Sequence, residues 1–298
     1  MPEFRVSTGF KVDLMRIYRI RNLHEWQKHA RRMEEEYTQR REWEWQLVNH
    51  WRKLGGQGRC WLQGFSYPAG QEVKFIFEMD SEPINWRETL ICPVTGLFNR
   101  VRACVHLFET ECGPYREDSI YLMEQKTPAY SFLSRRYPNL IGGEYLGESL
   151  NSGEIGEIID GLRHEDVTRL SFPDESINHI LSFDVFEHVP EYLKGLQEYH
   201  RVLAKGGTLL WTVPFIRQNA KTTVRAVTRP NGKIDHILEP EYHGDPVNPK
   251  GVLCFYHFGW DLLEEVREIG FSEAYALLFW SDLFGYLGSE SIIFVAIK

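Results

Sequence analysis

The sequence predicts an α/β fold in which a mostly parallel sheet is covered by helices on both faces. Three observations lead there. From about Ser119 onward, short apolar runs alternate with amphipathic helical stretches, the pattern of strand–helix–strand units. The junctions carry stop signals, such as Lys205-Gly206-Gly207 and Gly270. The chain is 43% hydrophobic and 26% charged, a normal globular balance, and its 298 residues suggest about two domains.

The elements follow in order. No Gly or Pro interrupts Asn22 to Leu54, where Arg, Glu, Gln and Lys dominate, so one long helix or two abutting helices are expected, stopped by Gly55-Gly56. Glu35 and Glu36 stand at helical spacing from Arg31, Arg32, Arg40 and Arg41, which predicts an exposed polar face. The alternative is a docking helix for an acidic partner or a second subunit. Arg59–Phe65 and Glu72–Met79 are strands about the turn Tyr67-Pro68-Ala69-Gly70. Trp86–Gly96 contains a further turn, and Phe98–Glu111 has helical periodicity. Strands are then expected at Ile120–Glu124, Leu140–Glu144, His179–Asp184 and Thr208–Pro214, with helices at Pro128–Arg136 and Glu191–Leu203. Ile216–Phe258 reads as a long irregular region. A helix at Trp260–Ile269 and strands at Ala274–Trp280 and Ser291–Ile297 close the chain.

Charge and composition exclude several classes. The net charge is −8, split as +4 over residues 1–56 and −12 over the rest, which argues against a nucleic-acid binder. No run of about 18 apolar residues is present, so no membrane span is expected. The start, MPEFRVSTGFKVD, lacks a charged-then-apolar leader pattern. Five irregularly spaced cysteines fit a reducing compartment, so the expected location is cytoplasmic.

One segment is far more specific. His164-Glu-Asp-Val-Thr-Arg-Leu-Ser-Phe-Pro-Asp-Glu-Ser-Ile-Asn-His-Ile-Leu-Ser-Phe-Asp-Val-Phe-Glu-His-Val-Pro190 is followed by Arg201-Val-Leu-Ala-Lys-Gly-Gly-Thr-Leu-Leu-Trp-Thr-Val-Pro-Phe215. This resembles the class I S-adenosylmethionine-dependent methyltransferases, of the type 11-like subgroup. The resemblance spans about Ser119 to Lys298 and is dense between Arg163 and Phe215. It implies a Rossmann-like, doubly wound, seven-stranded methyltransferase domain over residues 117–298. An accessory region of helices and β-hairpins precedes it over residues 1–116. In such a sheet the ligand lies across the carboxyl ends of the strands. The resemblance implies that Glu144, with Tyr145, holds the ribose hydroxyls. It implies that Asp166, with Val167, meets the adenine, and that Phe183 and Asp184 approach the methionine end.

The sequence departs from that family at the glycine-rich first turn. Ile120-Tyr-Leu-Met-Glu-Gln-Lys-Thr-Pro-Ala129 occupies its place. Glu124 supplies the acidic residue, while Gln125, Lys126, Thr127 and Pro128 replace the glycines. Thr127 is expected to cap a helix that Pro128 starts, and Lys126 to meet the cofactor's carboxylate. A second departure lies at Cys60-Trp-Leu-Gln63 and Cys92-Pro-Val-Thr95, which look like two halves of a zinc ribbon that each lost a cysteine. A structural zinc site wants four Cys or His ligands, so a metal-free ribbon-like shape is expected.

Two groups of residues are candidates for the chemistry. Asp184-Val-Phe-Glu187-His188 is similar to the cation-binding E-x-x-E-H of ubiquinone-biosynthesis O-methyltransferases, although capping by Glu187 and His188 without a metal is the expectation adopted. The second is the loop His236-Ile-Leu-Glu-Pro-Glu-Tyr-His-Gly-Asp-Pro246, together with His257. Polar and aromatic loops of this length often bind substrates. Asp235, His236, Glu241, Tyr242, His243 and Asp245 are its acceptor-binding candidates, with His243 first as base or acceptor ligand, then His188 and His257. Lys221–Arg225 is expected to be a solvated basic run.

The expected function is methyl transfer from S-adenosylmethionine to a small-molecule or saccharide acceptor, most naturally at oxygen. Two alternatives are non-methylation chemistry on the same cofactor, such as cyclisation, and a non-catalytic scaffold subunit. A homo-oligomer through the N-terminal helix is the expected assembly.

Overall fold

The computed structural model describes residues 15–55, 59–79, 82–156, 161–245 and 247–298. The opening MPEFRVSTGFKV segment, Gly56 of the expected helix stop and Pro246 of the expected acceptor loop lie outside them. By internal contacts the chain forms two compact units. One comprises Met1–Ile20, Gln27–Gly113 and Ala276–Ile293; the other comprises Arg21–Trp26, Pro114–Tyr275 and Phe294–Lys298.

In the first unit, β1 (Arg16–Ile20), for which the sequence carried no expectation, pairs antiparallel with Ala276–Trp280. Helices α1 (Leu23–Arg32) and α2 (Glu34–Lys53) divide at Met33, the two-helix form of the expectation. Trp43, Leu47 and Trp51 recur every fourth residue along α2 and are buried. They pack with Cys60, Leu62, Phe75 and Phe77, the inward-facing residues of a hairpin, β2 (Cys60–Ser66) and β3 (Gln71–Phe77). Alternation along each strand sends one face to this core. Cys60 and Cys92, the ribbon cysteines, both belong to this apolar cluster.

The polar face of the two helices is not wholly solvated: Arg31 and Arg32 of α1 and Arg41 of α2 are exposed, but Arg40 of α2 is buried. It belongs to a network on Glu290, whose carboxylate accepts from His29 Nε2 at 3.0 Å, Tyr37 Oη at 2.6 Å and Arg40 Nη1 at 3.4 Å. Helix α3 (Asn99–Leu107) is buried along almost its whole length. His106 on it stacks on Tyr67, with ring centroids 3.8 Å apart.

The second unit is built on parallel strands. β4 (Ile120–Leu122) is wholly buried, as a strand covered on both faces must be. It starts α4 (Pro128–Leu133), which returns to β5 (Leu140–Gly142), parallel to β4. A short hairpin, β6 (Ile155–Gly156) with β7 (Leu162–Arg163), follows. β8 (Ile177–Phe183) lies parallel to β4 on its other side. Helix α5 (Tyr192–Val202) leads to β9 (Leu203–Thr212), parallel to β8. Beyond β5, the parallel pairing is a single bridge, Glu144 with His164.

The region expected to be irregular instead holds three short antiparallel pairs. They are β10 (Thr223–Val224) with β15 (Tyr256–His257), β11 (Ala226–Thr228) with β12 (Ile234–His236), and β13 (Tyr242–His243) with β14 (Val252–Leu253). Pairs of two or three residues leave too short an alternation to read from sequence. Helix α6 (Asp261–Ile269) follows, then β16 (Glu273–Ser281) and β17 (Tyr286–Ile297), which supply residues to both units. Phe294–Ile297 of β17 run antiparallel to β9. Among the described residues, no helix is long and apolar enough to cross a membrane.

Candidate active site

The carboxyl ends of β4, β5 and β8 carry the residues that the sequence singled out. After β4, Thr127 Oγ1 accepts from Tyr130 N at 3.2 Å and Pro128 opens α4, so the glycine-free turn ends in the expected cap. Glu144 follows β5 and is buried. Its Oε1 accepts from the backbone amides of Gln125 at 2.7 Å and Lys126 at 2.8 Å. Burial raises its pKa; those two amides oppose the rise, and nearby Asp245 adds to it. The Gln125 side chain crosses to Arg163, whose amide donates to Gln125 Oε1 at 2.9 Å. A Cβ at Gly142 would meet the Tyr130 ring at 2.6 Å and Gln125 Cγ at 3.0 Å. A side chain has therefore moved from the turn into space that the strand-end glycine leaves open.

Tyr145 is 51% exposed and its ring lies 5.4 Å from that of His164. Asp166 Oδ1 accepts from Thr168 N at 2.8 Å and Thr168 Oγ1 at 2.7 Å, a local turn, while Val167 is buried. Tyr145, His164, Asp166, Thr168, Arg169 and Lys194 line a cavity of about 520 Å³. Phe183 is buried. Asp184 has a φ of 53°, and its Oδ1 accepts from Thr212 Oγ1 at 2.8 Å. Glu124 is half-buried and Lys126 exposed.

The three candidate histidines cluster around two glutamates. His188 Nδ1 lies 2.9 Å from the carbonyl of Leu253, which can only accept. The hydrogen therefore sits on Nδ1 and the lone pair on Nε2. Burial lowers the His188 pKa, which keeps the ring neutral. Its Nε2 is 3.7 Å from Glu187 Oε1. His243 stands between two acids, Nδ1 3.6 Å from Glu187 and Nε2 3.0 Å from Glu241. Cys254 first, then Glu187 and Glu241, push its pKa up to about 11. In its protonated form the ring donates from both nitrogens and has no lone pair to take a proton. His257 Nε2 lies 3.2 Å from Glu241 Oε1.

Glu187 is fully buried, and neither carboxylate oxygen has a hydrogen-bond partner. Burial raises its pKa to about 7. Its backbone carbonyl accepts from Phe255 N at 2.6 Å, and this bond with the His188–Leu253 contact ties the turn after β8 to the segment joining β14 and β15. Of the remaining loop candidates, Asp235 pairs with Arg229, His236 and Tyr242 are exposed, and Asp245 Oδ1 caps the amides of Val247 and Asn248. In the basic run, Arg225 departs from the expected solvation, with Nη2 3.1 Å from Glu241 Oε2. Cys254 was missed; its signal was the spacing Cys254-x-x-His257 beside Glu241-x-His243.

Residues 133–211 match the family model described as a methyltransferase domain. No curated protein matches the chain. Among solved structures, the chain is similar to an S-adenosylmethionine-dependent methyltransferase from Mesorhizobium loti, with 13% identity, TM-score 0.37, and coverage of 63% of this chain and 95% of that one. It is also similar to 1,6-didemethyltoxoflavin-N1-methyltransferase from Burkholderia thailandensis, solved with 1,6-didemethyltoxoflavin and S-adenosylhomocysteine. There the identity is 11%, the TM-score 0.36, and the coverage 66% of this chain and 77% of that one.

Proposed function

We propose that this chain is an S-adenosylmethionine-dependent methyltransferase acting in the cytoplasm on a hydroxyl of a small-molecule or saccharide acceptor. The observation that carries the reading is the methyltransferase-domain match over residues 133–211, the stretch that contains β5, β8 and most of β9. The residues present fit the cofactor's nucleoside end. A carboxylate has about four lone-pair positions, and Glu144 uses two of them at Oε1, which leaves Oε2 for ribose hydroxyls. The adjoining cavity of about 520 Å³ is within the usual range for small-molecule sites, and Asp166 keeps Oδ2 for the adenine amino group.

S-adenosylmethionine supplies a methyl group on a sulfonium centre. The chain's own task is to hold the acceptor in line with that methyl and to remove the acceptor's proton. His188 is the base in this reading, because its tautomer is fixed by Leu253 and its Nε2 lone pair is held in a neutral ring. His243 and His257 lie beside it, both against Glu241.

Calorimetry with S-adenosylmethionine and S-adenosylhomocysteine tests the cofactor assignment. Both should bind, and Glu144→Ala should cost about 1–3 kcal/mol. Unchanged affinity in a folded variant would remove Glu144 from the site, and no binding of either ligand would refute the enzyme. His188→Ala should reduce kcat by roughly 10²–10⁴-fold with cofactor affinity intact. The side-chain-filled turn at Gln125–Pro128 favours, as a second reading, different chemistry on the same cofactor. Cofactor-dependent turnover without S-adenosylhomocysteine among the products would select it.

A further inference from the structure

We propose that Glu241, His243, Cys254 and His257 bind one divalent ion of the zinc class, which staples the segment between β9 and α6. The proposal goes beyond the methyltransferase reading and does not rest on it.

The register of one small hairpin brings these four together. β13 and β14 pair Tyr242 with Leu253 and His243 with Val252. The next position along is Glu241 against Cys254, where Cys254 N donates to Glu241 O at 2.8 Å. Gly251 makes the return possible: its φ is +75°, and a Cβ there would lie 2.4 Å from the carbonyl oxygen of His243. His257 follows three residues after Cys254, the short spacing typical of a metal half-site.

Both imidazoles converge on the Glu241 carboxylate. His243 Nε2 and His257 Nε2 stand 3.0 Å and 3.2 Å from the same oxygen, Glu241 Oε1. The donor atoms of Glu241, Cys254 and His257 all lie within 4.8 Å of one another. Metal–ligand bonds of about 2.0–2.3 Å give a tetrahedron with edges of roughly 3.3–3.8 Å, so the group needs only small shifts to close on an ion. Arg225 Nη2 also holds this carboxylate, 3.1 Å from Oε2, an oxygen that His257 Nε2 approaches equally at 3.1 Å. One thiolate, two imidazoles and one carboxylate suit zinc better than magnesium, which prefers an all-oxygen shell. Four protein ligands leave no open position, so the ion is structural.

An independent observation points the same way. Glu187 is fully buried with no hydrogen bond to either oxygen, and its Oε1 faces Nδ1 of His243 at 3.6 Å and Nε2 of His188 at 3.7 Å. A buried carboxylate without a hydrogen bond requires an explanation. When Nε2 of a histidine ligates a metal, its only hydrogen is on Nδ1, and a carboxylate normally receives it. Glu187 is placed to do this. On binding, the ligands act as a thiolate, two neutral imidazoles and a carboxylate, any displaced protons pass to solvent, and four ligand–metal bonds form.

The test uses the full chain, stripped of metal by dialysis against a chelator and titrated with Co²⁺ alone. One equivalent should bind, with a thiolate-to-cobalt charge-transfer band in the near ultraviolet, and Zn²⁺ should displace it. Cys254→Ser should abolish the band, whereas Cys112→Ser should keep it. Glu187→Gln should keep the band and weaken binding by about 10–100-fold. Absence of the band in the parent protein, or its persistence in Cys254→Ser, overturns the site. If Cys254→Ser fails to fold by circular dichroism, His257→Gln serves instead, and unchanged Co²⁺ affinity there also overturns it. Cofactor calorimetry on the metal-free protein separates the two readings. Cofactor binding without Co²⁺ binding refutes the metal site alone, and the reverse refutes the cofactor alone.

Discussion

Glu290 and Glu187 are both buried glutamates, one in each unit, and they are treated in opposite ways. Glu290 accepts from His29 and Tyr37 and faces Arg40. Burial raises its pKa, but these partners outweigh the burial and hold it below the ordinary value. Glu187 has no hydrogen-bond partner for either oxygen, and burial pushes it up to about 7. The first carboxylate is met by donors on both oxygens. The second is half of an arrangement that a ligand would complete. Burial of a charge is therefore a poor indicator of function by itself; the satisfaction of its lone pairs is the discriminating feature.

The largest expected effect breaks the closed side of this comparison. Glu290→Ala leaves Arg40 buried without its inner carboxylate and should cost about 3–5 kcal/mol in urea unfolding. A loss below about 1 kcal/mol would mean that the network contributes little. A second effect sharpens it through pH. His106 is buried against Tyr67, and burial lowers its pKa to about 4 from an ordinary value near 6.5. The unfolded chain binds this proton more readily, so the stability tied to a neutral His106 is present above pH 6.5 and is lost as pH falls towards 4. The full difference is roughly 3 kcal/mol. His106→Gln should flatten the unfolding free energy between pH 6.5 and 4, and an unchanged slope would assign the dependence elsewhere. The smallest effect concerns the open side. Glu187→Gln removes no hydrogen bond and should leave stability within about 1 kcal/mol of the parent, even as Co²⁺ retention falls. A loss as large as that of Glu290→Ala would show that Glu187 belongs to the closed class after all.

Much of the fold was legible because its signals are local. Buried strands such as β4 and β8 appear as apolar runs, and α2 carries Trp43, Leu47 and Trp51 at a four-residue period. The Thr127–Pro128 helix start is written in adjacent residues. The site was legible only as a set of names. Glu187, His188, His243 and His257 were on the page as candidates, but their division into a neutral histidine and a doubly flanked one depends on Leu253 O, Glu187 and Glu241, which lie up to 65 residues away. Arg40 was read as part of a solvated face, since nothing near it in the chain announces Glu290, 250 residues on.

The sequence by itself determined the alternating α/β order, the methyltransferase-type segment and the replacement of the glycine turn, because periodicity and motif are properties of neighbouring residues. Only the tertiary structure decided that Glu144 is held by the amides of that same turn, that parallel pairing beyond β5 is a single bridge, and that Glu241 meets Cys254, His257 and His243. Their meeting rests on the register of a two-residue hairpin. A slip of one residue would turn Glu241 and His243 to the opposite face, and no local pattern in so short a pair fixes that choice.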